Sequence, residues 1–179
     1  QPTKGQEHLL YAVSKLMFSV RENCTLIVKG YAGTGKTTTV KAIVNSLQAI
    51  GQKSILLAPT GRAAKVMTSL SGRPAFTIHK IIYQRKTRDG GMAVFGLRKN
   101  LYKNTLFIID EASMIGASEG ALQSFGKGEA RQLLDDLLNF VFTGQNCRLI
   151  FIGDAAQLPP VGSSHSPALD KSYLAERYS

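Results

Sequence analysis

Four short runs of the chain, residues 25–28, 54–58, 106–109 and 148–152, are almost continuously aliphatic or β-branched. Runs of this length without polar alternation are expected of strands covered on both faces, as in a parallel sheet. Longer amphipathic stretches separate them. Residues 5–18 place Leu9, Leu10, Val13, Leu16 and Met17 on one helical face. A second helix is predicted over residues 36–48, ending before Gly51, a third after Gly61, and a fourth over residues 130–142. Strand and helix alternating in this order predict an α/β fold with a doubly wound sheet.

Two stretches break the alternation. Residues 84–104 are basic and weakly periodic, with Asp89-Gly90-Gly91 as a turn signal, and predict a small β-hairpin insertion. Residues 116–128 are rich in Gly and Ser and read as a loop. The tail after Pro160 is polar, and no further strand is expected in it.

A chain of 179 residues suits one such domain, here taken as residues 1–179. Its 22 Lys and Arg against 12 Asp and Glu leave a formal charge of +10, which points to a polyanionic partner. The two cysteines, Cys24 and Cys147, are too few and too far apart for a disulfide framework or metal cluster. With no membrane-length apolar run and no signal peptide, a cytoplasmic location with reduced thiols is expected. The first residue is Gln1, so a fragment of a longer protein is expected.

Gly30-Tyr31-Ala32-Gly33-Thr34-Gly35-Lys36-Thr37 matches the G-x-x-x-x-G-K-[ST] phosphate loop and lies between the first strand and a helix. Gly30, Gly33 and Gly35 let the backbone turn tightly so that successive N–H groups face an anion. The helix start at Lys36 adds the positive end of its dipole, and Thr34 and Thr38 complete the nucleotide-binding set. Lys36 is the expected partner of the β- and γ-phosphates, and the Thr37 hydroxyl the expected ligand of Mg²⁺.

The third apolar run leads directly into Asp110-Glu111, at the strand end where α/β sheets bind ligands. Asp110 is placed to hold Mg²⁺ and Glu111 to act as base toward an attacking water. No N-K-x-D guanine signature occurs, and a hydrolytic Glu favours an ATPase over a phosphotransferase. The fourth run ends in Gly153-Asp154-Ala155-Ala156-Gln157-Leu158-Pro159-Pro160, a rigid loop at the same rim. There the Gln157 amide is a candidate sensor of the γ-phosphate.

Together with Ala58-Pro59-Thr60-Gly61-Arg62-Ala63-Ala64 and Asp110-Glu111-Ala112-Ser113-Met114, these motifs resemble superfamily 1 helicases, most of all the RecD-like 5′-to-3′ branch. Order and spacing agree from Gly5 to Pro160. The resemblance implies a RecA-like P-loop NTPase fold and an ATP hydrolase coupled to DNA. Lys36, Glu111 and Gln157 would be its catalytic residues, with ATP and Mg²⁺ as cofactors. It further implies that Gln6 reads adenine, that Pro59, Thr60, Gly61 and Arg62 grip a single strand, and that His79 and Lys80 contact DNA. RNA is not distinguished from DNA at this stage.

Residues 84–104 stand where the branch carries a strand-splitting pin, with Tyr83, Phe95 and Tyr102 among basic residues that include Arg85 and Arg98. Basic residues with interleaved aromatics suit phosphate contact and base stacking. Helicase–nuclease complex subunits are the protein partners that the resemblance brings in. The family also implies a second RecA-like lobe bearing an arginine for the γ-phosphate, so this chain is expected to supply half of an ATP site. Two other readings stand beside this one: a P-loop kinase or ATPase that does not act on DNA, and a nucleotide-switched DNA-binding module.

Overall fold

The computed structural model describes residues 4–30, 36–87, 93–116, 133–154, 156–157 and 166–178, with backbone only at 6, 36, 37, 86, 87, 93, 94, 177 and 178. Five parallel strands form the central sheet: β1 (Thr25–Lys29), β2 (Lys53–Ala58), β3 (Ala75–Thr77), β6 (Thr105–Ile109) and β7 (Arg148–Gly153), in the order β1-β7-β6-β2-β3. An antiparallel pair, β4 (Tyr83–Thr87) and β5 (Ala93–Leu97), stands apart from it. The helices are α1 (Lys4–Met17), α2 (Lys36–Ala49), α3 (Gly61–Ser71), α4 (Ile78–Ile82), α5 (Leu133–Phe142) and α6 (Lys171–Tyr178).

Side chains alternate along the strands and feed two apolar layers. Leu56, Leu106, Ile108, Ile150 and Ile152 face α1 and α2, meeting Val13, Leu16, Val40, Ile43, Val44 and Leu47, with Met67 of α3 at the border. Leu57, Phe107, Ile109, Leu149 and Phe151 face the opposite way, against Ile78 and Ile82 of α4 and the apolar face of α5. The α/β reading therefore holds, with a mainly parallel sheet and helices on both faces.

All four predicted strands are present to within a residue or so at each end. They are not equally covered. β6 and β7 are buried along their whole length, whereas β1 is half-buried because it is the edge strand. A continuous apolar run reports coverage by helices, and the edge of a sheet leaves no mark in it.

The chain leaves β1 through α2 and crosses to β2, passing the two positions that β6 and β7 later fill. The helix after β1 covers one face and the helix after β6 the other. Such a reversal opens a crevice at the carboxyl ends of the strands. Because all five strands are parallel, Gly30, Pro59, Thr77, Asp110 and Asp154 emerge at that one edge.

The hairpin insertion is present, paired from Tyr83↔Leu97 to Thr87↔Ala93, and its turn signal lies outside the described residues. It ends sooner than residues 84–104 suggested. After β5 the chain returns to the core: Arg98 N–H donates to the Ile82 carbonyl at 2.7 Å. Asn100, buried, donates from Nδ2 to the carbonyls of Phe140 (2.7 Å) and Val141 (3.2 Å) at the end of α5. Of the predicted 130–142 helix, residues 133–142 are observed and 130–132 lie outside the described residues, as do residues 117–128 of the predicted loop. The tail shows no strand among its described residues. It carries a 3₁₀ turn, Pro167–Leu169, and α6, both resting on the α5 side of the sheet.

Candidate functional site

Gly30 follows β1 directly, and its N–H donates to the carbonyl of Gly153 at 3.1 Å. The start of the phosphate loop is thereby stapled to the end of β7, the strand that leads to Gln157. Gly33, Thr34 and Gly35 lie outside the described residues. Lys36 and Thr37 open α2 on the backbone, Thr38 is exposed beside them, and Gln6 lies in the first turn of α1. The motif thus lies between β1 and α2, the strand and helix it requires on either side.

Asp110 sits one position beyond β6, and its N–H donates to the Leu57 carbonyl at 3.0 Å. That bond extends the β2–β6 ladder to the rim. Its Oδ1 accepts from the Glu111 N–H at 2.9 Å. Glu111 adopts the left-handed conformation, φ 55 and ψ 35, costly for a residue with a Cβ and frequent at functional sites. The turn is completed by a 3₁₀ segment, Ala112–Met114, in which Met114 N–H reaches the Glu111 carbonyl at 3.1 Å. Both acidic side chains are half-buried at the rim.

At the end of β7, Asp154 is buried, and its Oδ1 accepts from Ala156 N–H at 2.9 Å. This closes a tight turn that leaves Gln157 exposed. The Gln157 Oε1 then accepts a hydrogen bond from the Ser113 hydroxyl at 2.6 Å. Ser113 itself is fully buried. The turn after β6 that carries Asp110 and Glu111 and the turn after β7 that carries Gln157 are thus joined side chain to side chain. The motif around Ser113 was legible, but no role for its hydroxyl was, because the contact spans 44 residues of sequence.

Along the same edge, β2 and β3 end in two similar devices. Thr60 caps α3, its hydroxyl oxygen accepting from Ala63 N–H at 3.2 Å. Thr77, opposite Ala58 in the β2–β3 ladder, caps α4 by accepting from Lys80 N–H at 3.3 Å. In each case the hydroxyl hydrogen remains available to an acceptor. Between these helix starts lies a cleft of about 390 Å³, bordered by Gly61, Lys65, Thr68, Phe76, Thr77 and Lys80. Arg62, Lys65 and Lys80 are exposed, and the Lys80 Nζ lies 5.1 Å above the Phe76 ring. The His79 ring is half-buried and tilted against Tyr83 at 5.6 Å. Phe76 escaped sequence reasoning because β3 spans three residues, too short for a period to register.

The aromatics near the hairpin divide by role. Tyr83 is buried and donates to the Asp136 carboxylate at 2.7 Å, while Tyr102 packs edge-on against Phe107 and Phe140. Arg98 donates from Nε to the Tyr83 carbonyl at 2.9 Å, at the base of the hairpin. Phe95 is the aromatic that the hairpin presents to solvent, directly opposite the exposed Arg85. Interleaving in sequence therefore overstated the stacking surface at Tyr83, which is buried, whereas Tyr102 keeps part of its ring exposed. Tyr83 and Tyr102 anchor the insertion instead.

The fold and this rim define an α/β nucleotide-binding domain of the P-loop type. A family model described as an AAA domain matches residues 14–163, and the chain belongs to that family. Within it, the chain is a superfamily 1 motor domain of the RecD-like kind. It is 30% identical over 163 residues to the ATP-dependent RecD2 DNA helicase of Deinococcus radiodurans, covering 89% of this chain and 19% of that protein. It is 32% identical over 178 residues to the ATP-dependent DNA helicase dda of Enterobacteria phage T4, covering 98% of this chain and 36% of that one. The crystal structure of the Pif1 helicase from Candida albicans shares the fold, with TM-score 0.56 and 22% identity over 97% of this chain and 37% of that one. The chain thus spans between about a fifth and just over a third of these relatives. No helix among the described residues is long and apolar enough to cross a membrane.

Proposed function

We propose that this chain is the first motor lobe of an ATP-dependent DNA helicase, binding ATP and single-stranded DNA along one edge of its sheet. The observation that carries the reading is the junction of three strand ends: Gly30 bonded to Gly153, Asp110 bonded to Leu57, and Ser113 bonded to Gln157. These bonds hold the phosphate-loop start, the acidic pair and the sensor glutamine at one rim. The rim carrying Thr60 and Thr77 continues directly from it.

In this reading the loop of residues 30–37 cradles the phosphates, and Lys36 neutralises charge on the β- and γ-phosphates. Asp110 and the Thr37 hydroxyl are hard oxygen donors that suit Mg²⁺, which when bound offsets phosphate charge. Glu111 takes a proton from the attacking water, and Gln157 donates its amide to the γ-phosphate. Gln6 contacts the adenine, and Thr34 and Thr38 border the phosphates. Pro59, Thr60, Gly61 and Arg62, with His79 and Lys80, hold the strand backbone. The exposed Arg85–Phe95 pair supplies the tip side of the pin.

The reading calls for a second RecA-like lobe elsewhere in the full-length protein, supplying an arginine across the nucleotide. The 179 residues alone are then expected to bind nucleotide weakly, to hydrolyse it slowly and to leave duplex DNA intact. A cytoplasmic location and association with helicase–nuclease subunits belong to the same proposal. The test is ATP turnover by the full-length protein with and without single-stranded DNA. Stimulation by the strand, abolished by Lys36→Ala, is the expected result. A P-loop kinase would ignore the strand. A nucleotide-switched binding module would keep its biological activity in the Lys36→Ala variant.

A further inference from the structure

We infer that Ser113 is a positioning residue for Gln157: its hydroxyl orients the glutamine amide and ties it to the turn that carries Asp110 and Glu111. The inference rests on the ATPase reading and adds to it a residue and a route.

Gln157 is exposed, and a glutamine side chain held by nothing samples many rotamers, a freedom that ordering it must overcome. The only hydrogen bond of its side chain to another described residue is the one from Ser113, at 2.6 Å to Oε1. Nε2 donates to no other described residue. A phosphate oxygen accepts from Nε2 and repels Oε1, so the amide works in one orientation. A serine hydroxyl can donate or accept. Facing Oε1 it donates, and in that arrangement Nε2 is the amide atom turned toward an anion.

The hydroxyl can do this because its own backbone is held. Ser113 is fully buried within the 3₁₀ turn that Glu111 begins. Its carbonyl accepts from the Ser166 hydroxyl at 3.0 Å, so the tail supports the turn from behind. At Gly153 an added Cβ would stand 3.0 Å from the Ser113 N and 2.8 Å from Leu169 Cδ1. That close packing seats the turn directly against the end of β7. Loss of the γ-phosphate would free Nε2, and through Ser113 the change reaches the turn two residues from Glu111. Ser113 touches no reacting atom in this scheme.

The test is steady-state ATP turnover by the full-length protein with saturating single-stranded DNA. Ser113→Ala is expected to lower kcat about tenfold, the effect of one well-placed hydrogen bond, with KM for ATP changed less than about twofold. Combined with Gln157→Ala, it should slow the enzyme no further than Gln157→Ala alone, since the two act as a unit. Gln157→Glu keeps an acceptor for Ser113 but has no N–H to offer. It is expected to keep the wild-type Tm and still lose at least about tenfold in kcat, whereas Gln157→Leu loses both.

Unchanged kcat in Ser113→Ala, multiplying effects in the double variant, or wild-type kcat in Gln157→Glu would each overturn the inference. The Gln157 variants decide the matter even if Ser113→Ala fails to fold, because position 157 is exposed. Wild-type protein that does not turn over ATP would overturn the ATPase reading and this inference together. Turnover that is indifferent to Ser113 would overturn the inference alone.

Discussion

The two halves of the rim are built in opposite ways. At the ends of β6 and β7 Asp110 and Glu111 are half-buried and Gln157 is exposed, and the groups there are bonded to one another: Asp110 to Glu111, Asp154 to Ala156, Ser113 to both Gln157 and Ser166. At the ends of β2 and β3 the cations Arg62, Lys65 and Lys80 are exposed, and each half-buried threonine caps its own helix start. Hydrolysis needs groups fixed to a fraction of an ångström around developing charge, which favours a dry, interlocked site. A moving strand needs a surface it can leave, which favours exposed cations and capped helix starts whose contacts are individually weak.

If that contrast is real, substitutions in the two halves should differ in kind. The largest effect is expected at Glu111. Glu111→Gln in the full-length protein should cut kcat by about 10²–10⁴ while a fluorescent nucleotide still binds. Equal loss of binding and turnover would contradict a role confined to chemistry. Next come the cations of the strand-side cleft. Replacing Lys65 and Lys80 together by Ala should weaken single-strand binding and reduce the salt slope of log K by about 1.4, some 0.7 per lost phosphate contact. ATP turnover at saturating DNA should stay near wild type. A fall in kcat with an unchanged salt slope would erase the distinction between the two halves.

Thr60→Ala tests the joint role of a cap. It should destabilise the protein by about 1 kcal/mol, read by denaturant titration, and also weaken strand binding. Stability lost without affinity would leave Thr60 a cap alone. The smallest effect concerns Cys147, a free thiol at the far end of the sheet, whose pKa burial pushes up. The folded state favours the neutral thiol, so its contribution to stability is full at neutral pH. That contribution is lost as pH rises from the ordinary thiol range through the raised value. Slow alkylation of Cys147 in the native protein at pH 8, becoming fast on unfolding, would match this.

Much of the fold is legible from residue patterns alone. Residues 106–109 and 148–152 are apolar on both faces because both faces are covered, and the strands found there are buried throughout. Gly51 and Gly72 adopt positive φ just past α2 and α3, the conformation glycine reaches without Cβ strain. The short elements were not legible: β3 and α4 are held by pairing with β2 and packing on α5, which no local period encodes. Nor was α6, whose polar sequence takes its helical state beside the 3₁₀ turn of residues 167–169. At the hairpin, composition alone made Tyr83 and Tyr102 candidates for stacking; burial removed Tyr83, and Tyr102 turns a ring edge to Phe107 and Phe140 while staying partly exposed.

Local chemistry is enough to mark Gly30, Asp110 and Gln157 as strand-end residues, because a buried run must end where its polar groups meet water. Which strand ends stand side by side is a different matter. Only the β1-β7-β6-β2-β3 order sets the Gly153 carbonyl against Gly30, and Ser113 against a glutamine 44 residues away. Periodicity is a property of neighbours in the chain. The partner of a hydroxyl is settled by the crossover that brings two distant turns together.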